Sequence, residues 1–217
     1  MQEPSTIGAA QFKSSGLMQD LRLIVLEGGS GTGKSSLASA LQERLLPQQW
    51  LHFSTDTVLY CLPQSILDQA NLQNDWTSID TRAISRSAHA CVCSLLVSGY
   101  RVIFDCVVMT ERGARELLLA FQAHRPVLVR LTCSWEEVRR RTVARGDRTL
   151  EEAEHGFKTS GLHLVADHVL DTTNQTPAEL ADSLASSLAL SGTYHAWSQN
   201  LARFSLGSQR PFSAASE

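Results

Sequence analysis

An α/β fold, a parallel five-stranded sheet with helices on both faces, is predicted by three observations. Short apolar runs alternate with segments of helical periodicity over about 170 residues, the pattern of strands joined by crossover helices. The first run, Arg22 to Leu26, leads straight into a glycine-rich turn and then a helix. Later runs end in Ser54-Thr55-Asp56, in Asp105 and in Asp171-Thr172-Thr173, and a parallel sheet gathers such ends at one edge.

The turn, Gly28-Gly29-Ser30-Gly31-Thr32-Gly33-Lys34-Ser35, carries the spacing Gly-x4-Gly-Lys-Ser of a phosphate-binding loop. Residues without bulky side chains let backbone N–H groups converge on a phosphate chain, and the helix that follows points the positive end of its dipole at it. Lys34 can reach the outer phosphates, and the Ser35 hydroxyl can hold a magnesium ion.

The remaining elements follow in order. Residues 1–20 are polar without sustained periodicity and are expected to be a mobile lead-in. The first helix, from Ser36 to Leu46, sets Leu37, Leu41 and Leu45 on one side and stops before Pro47. Trp50 to Phe53 is a second strand, which places Asp56 either near the outer phosphate or as the cap of the next helix. The stretch from Pro63 to Asp80 is polar and irregular, suited to a cap over an acceptor pocket or to a plain surface insertion.

A long helix from Ser78 to Ser98 is expected to bury Ile84, Ala88, Cys91, Val92, Leu95 and Leu96, with Gly99 ending it. Arg101 to Asp105 is a strand closed by a carboxylate, the form of an element that orients magnesium or touches the acceptor. A helix from Glu111 to Ala123, a strand from Val127 to Leu131, and capping boxes at Ser134–Glu137 and Thr149–Glu152 come next. A last strand, His168 to Leu170, and a helix from Pro177 to Leu190 complete a domain of residues 21–190, and residues 191–217 read as a tail.

Arg139, Arg140, Arg141, Arg145 and Arg148 crowd one short segment of a chain whose net charge is -3. Guanidinium groups match phosphate oxygens, so a hinged lid over the transferring group is one reading; a solvated face paired with Glu151, Glu152 and Glu154 is the other. The acidic balance argues against a general nucleic-acid surface. Five cysteines set mostly in apolar runs read as reduced core residues, and no apolar stretch approaches a bilayer span, so a cytoplasmic protein is expected.

Taken together, the glycine turn, Trp50-Leu51-x-Phe53-x-x-Asp56, Arg101-Val102-Ile103-Phe104-Asp105, Arg141-x-x-x-Arg145-Gly146-Asp147-Arg148 and Asp171-Thr172-Thr173 resemble the chloramphenicol phosphotransferase family of P-loop kinases. The resemblance implies a P-loop kinase domain with an arginine lid that transfers the γ-phosphate of ATP, with Mg2+, to a hydroxyl of a small molecule such as an antibiotic. It implies that Asp56 is the general base, that Lys34, Arg145 and Arg148 act on the phosphates, and that Ser35 and Asp105 hold the metal. The glycine turn through Ser36, with Arg141 and Thr173, is then the nucleotide site. Val58, Tyr60, Asp105 and Val107 line the acceptor pocket, with no nucleic-acid or membrane partner. A sugar-type kinase of the shikimate or gluconate kind is the nearest rival, and a nucleotide-dependent switch protein a more distant one.

Overall fold

The structure, a computed structural model, describes residues 20–146, 148–190 and 193–207. Five parallel strands form one sheet: β1 (Leu23–Glu27), β2 (Trp50–Ser54), β3 (Arg101–Cys106), β4 (Val127–Thr132) and β5 (His168–Asp171), in the order β2-β3-β1-β4-β5. Nine helices lie among the described residues: α1 (Lys34–Arg44), α2 (Thr55–Leu59), α3 (Gln64–Gln73), α4 (Thr81–Val97), α5 (Glu111–Phe121), α6 (Trp135–Arg145), α7 (Leu150–Thr159), α8 (Pro177–Leu190) and α9 (Ala196–Gly207).

Strand β1 is buried on both faces, which is why its sequence is an unbroken apolar run rather than an alternation. Ile24 and Leu26 face one core with Leu37 and Leu41 of α1 and Leu180 and Leu184 of α8. Leu23 and Val25 face the other, with Val92 of α4, Leu118 of α5 and the fully buried pair Phe104 and Phe121. Burying each such ring contributes about 2 to 3 kcal/mol, so these two layers fix the sheet and the strand ends that build the site.

From β1 the chain runs out to β2 at the edge, returns through β3, and crosses back to β4 and β5. The reversal leaves a crevice beyond the carboxyl ends of β1 and β3, where ligands of open α/β sheets bind.

Three expectations are corrected. The stretch from Pro63 to Asp80 contains a regular helix, α3, which joins Leu59, Leu67, Ala70 and Ile79 in a small core of its own. Helix α4 starts at Thr81, capped by Asp80, and its Cys91 is exposed, as is Cys61, although Cys106 and Cys133 are buried. Within the expected tail, α9 buries Ala196 and Trp197 against the second core. The expected lead-in, residues 1–19, and the final segment, residues 208–217, lie outside the described residues, as does Asp147.

Candidate active site

At the end of β1 the chain turns sharply under close neighbours. A Cβ on Gly28 would come within 2.7 Å of the Leu131 carbonyl oxygen, so only glycine fits that step. Gly33, at φ 87°, caps α1 with no side-chain oxygen, leaving the helix N-terminus to an outside anion. Lys34 is buried and donates from Nζ to the carbonyl oxygens of Gly28 at 2.9 Å and Gly29 at 3.0 Å. Burial pushes the Lys34 ammonium below its ordinary pKa, while the charges of Asp105 and Asp56 oppose the fall.

Asp105 is the penultimate residue of β3, one position before Cys106, and is 3% exposed. Ser35 Oγ donates to its Oδ2 at 2.9 Å, His52 Nε2 lies 2.8 Å from the same oxygen, and Ser54 Oγ donates to Oδ1 at 2.8 Å. Burial works against ionisation, but the His52 bond, the Lys34 charge and the Ser54 bond outweigh it and hold the carboxyl below its usual range.

Asp56 lies in the first turn of α2 and is exposed. Its backbone N–H bonds Ser54 Oγ, so Ser54 rather than Asp56 caps the helix, and Asp56 lines a cavity of about 660 Å³. Ser30, Gly31, Gly33, Lys34, Ser35 and Ser36 line one wall of that cavity. Leu59, Tyr60, Asn71, Asn74, Trp76, Thr81, Ile84, Ser85, Val107 and Met109 line another, and Arg145, Arg148, Glu151, Glu152 and His155 close it.

The structure thus gathers Asp56, Lys34, Ser35, Asp105, Arg145, Arg148, Tyr60 and Val107 around one space. Other expected site residues lie elsewhere. Val58 packs against the second core. Arg141 lies outside the cavity: Nε bonds Glu137, NH1 bonds the Gly31 carbonyl and Thr172 Oγ1, and NH2 bonds the Thr172 carbonyl, bracing the glycine turn against the end of β5. Thr173 Oγ1 donates to Asp171 and accepts from Ser134 N. Gly28, Gly29 and Thr32 shape the turn from behind, Thr32 Oγ1 donating to the Gly29 carbonyl at 2.8 Å.

Ser134 caps α6 and Thr149 caps α7 as expected, but the Glu137 carboxylate pairs with Arg140 and Arg141, which bring it down to about 2. Arg140 therefore belongs to the solvated face. Sequence reasoning missed His52, Ser54, Asn71, His155 and the pair Glu27 and Arg130, in which buried Glu27 accepts from Arg130 Nε at 3.1 Å and from Gly161 N at 2.9 Å.

A glycine-rich turn with its invading lysine, a serine beside a strand-end carboxylate and a basic segment over one cleft define a P-loop enzyme of the kinase type, a phosphotransferase with a nucleotide site. A family model described as chloramphenicol phosphotransferase-like protein matches residues 21–189, and the chain belongs to that family. The protein named "Putative O-phosphotransferase Rv2636" from Mycobacterium tuberculosis (strain ATCC 25618 / H37Rv) is 29% identical over 185 residues, covering 77% of this chain and 82% of its own length. The guanylate kinase of Thermobifida fusca (strain YX) is 30% identical over 193 residues, covering 81% of this chain and 94% of its own. Among solved structures, the Mycobacterium tuberculosis APS kinase CysC, in complex with AMPPNP and APS, shares the fold with a TM-score of 0.57 at 17% identity, over 79% of this chain and 98% of that one. Among the described residues no helix is long and apolar enough to cross a membrane.

Proposed function

We propose that this chain transfers the γ-phosphoryl group of ATP to a hydroxyl of a small, uncharged organic acceptor of the antibiotic class, with Asp56 as general base. The observation that carries the reading is the placing of the Asp56 carboxylate on the same cavity as Lys34, close enough for its charge to act on that ammonium. An acceptor hydroxyl between them loses its proton to Asp56 as its oxygen attacks phosphorus, and the γ-phosphate bond to the leaving nucleotide breaks in line. Lys34, Arg145 and Arg148 balance charge on the equatorial oxygens.

Ser35 and Asp105 fit a magnesium ion, since a hydroxyl and a carboxylate meeting at 2.9 Å are the hard oxygen donors it takes. When bound, the ion would neutralise phosphate charge. Use of ATP assigns the reaction to the cytoplasm.

The acceptor wall supports the substrate class. Leu59, Trp76 and Ile84 give it an apolar body, and Asn71, Asn74, Thr81 and Ser85 give it uncharged hydrogen-bonding groups beside the carboxylates Asp56 and Asp105. A sugar acid of the shikimate or gluconate kind would have to take Arg145 or Arg148 of the same cavity for its carboxylate, the cations this reading gives to the phosphates. The test is a panel of hydroxylated antibiotics, nucleosides and sugar acids, read by mass spectrometry. An ATP-dependent gain of one phosphate on an uncharged antibiotic is the expected result; phosphorylation of a sugar acid instead, or ATP hydrolysis indifferent to every acceptor, would overturn the reading.

A further inference from the structure

Strand β2 contributes two side chains to Asp105, and the pairing of the sheet explains how. Ser54 stands directly opposite Asp105 in the β2–β3 register, and His52, two residues earlier, shares its face of the sheet. An ionised carboxylate only accepts hydrogen bonds, so His52 must carry its proton on Nε2 to lie 2.8 Å from Oδ2, and Ser35 must spend its single proton on the same oxygen. Three donors from two elements thus occupy three of the four lone-pair directions of Asp105. With its proton committed, the Ser35 hydroxyl, which lines the cavity, has only lone pairs to offer a ligand there.

We infer that His52 and Ser54 are positioning residues: they lock the rotation of the Asp105 carboxylate, which in turn fixes the Ser35 hydroxyl with its lone pairs presented to a divalent cation. Ser54 lines the cavity beside Asp56, whereas His52 does not and meets the site through Asp105. Outer partners of this kind hold ligand groups in orientation, and losing one costs roughly 10- to 100-fold in metal affinity. The inference rests on the proposed phosphotransfer reading, since it supposes a metal–nucleotide complex at Ser35 and Asp105.

The test measures binding of Mn2+ to the full-length protein saturated with ADP, by electron paramagnetic resonance, beside thermal unfolding. His52→Ala is expected to weaken Mn2+ binding about tenfold with Mn2+-free ADP affinity within twofold of wild type, and His52→Gln, which keeps an N–H at that reach, to recover most of the loss. Ser54→Ala, which removes the bond to the other oxygen, is expected to weaken Mn2+ binding as well, and serves if the His52 variants do not fold. Wild-type Mn2+ affinity in folded His52→Ala or Ser54→Ala overturns the inference alone; so does a loss in His52→Ala that tracks unfolding and is not recovered by glutamine. Failure of the wild-type protein to bind Mn2+ and ADP together overturns the phosphotransfer reading beneath it.

Discussion

Arg130 on β4 reaches Glu27 at the end of β1, guanidinium nitrogen to carboxylate oxygen 3.1 Å, and Glu27 is 1% exposed. The pair sits directly before the glycine turn and ties it to Gly161, just past α7. Removing one partner of a buried pair leaves an uncompensated charge, which costs about 3 to 5 kcal/mol. Arg130→Met is expected to lower the urea midpoint accordingly, and the double variant with Glu27→Gln to regain much of the loss; equal midpoints for Arg130→Met and wild type would show the pair to be idle.

His89 on α4 is expected to make the fold acid-sensitive. It lies edge-on to Phe104 and Phe121, with ring centroids 5.8 and 5.3 Å away, and burial pushes its pKa down from 6.5 to about 4. A depressed histidine favours the folded state when neutral, so this contribution is complete above about pH 6.5 and is lost as pH falls toward 4. The shift corresponds to something on the order of 3 kcal/mol. His89→Phe is expected to flatten the stability profile between those pH values, as read by denaturant unfolding; an unchanged slope would exclude His89 as its source.

Gly28→Ala sets a methyl 2.9 Å from Thr32 Oγ1 and 2.7 Å from the Leu131 carbonyl oxygen, a backbone contact that no rotamer change relieves. Overpacking of this kind costs about 1 to 3 kcal/mol, and the displaced turn is expected to lose nucleotide affinity as well. Calorimetry with ATP checks both, and wild-type affinity would contradict the geometry.

Lys34→Ala removes a charged donor from the heart of the turn. Charge-assisted bonds of about 1.5 to 3 kcal/mol translate to roughly 10- to 100-fold weaker ATP binding, with turnover falling further. Equilibrium binding of a fluorescent ATP analogue reads the first, and unchanged affinity would remove Lys34 from the phosphate site.

What the sequence disclosed follows from where its signals are local. β1, β3 and β4 are buried on both faces, so their apolar runs stand out, and Gly28 to Ser35 carries its geometry in its own spacing. Helix α3 was hidden because only Leu67 and Ala70 of its ten residues are buried, with partners supplied by Leu59 and Ile79 outside it. Helix α9 was hidden because its stripe is short and thin: Ala196 and Trp197 are buried in the second core, and Leu201 and Phe204 pack against it only partly buried. His52 and Ser54 gain meaning only through the β2–β3 register. Arg141 resembled a lid residue, but Gly31 and Thr172, distant in the chain, claim its donors.

Asp56→Asn bears most directly on the central claim, because the amide keeps the size of the side chain and cannot accept a proton as a carboxylate does. With the acceptor that the panel identifies, kcat is expected to fall roughly 100- to 10,000-fold while ATP affinity stays as it was. A variant that turns over near the wild-type rate would contradict the account of Asp56 as the base.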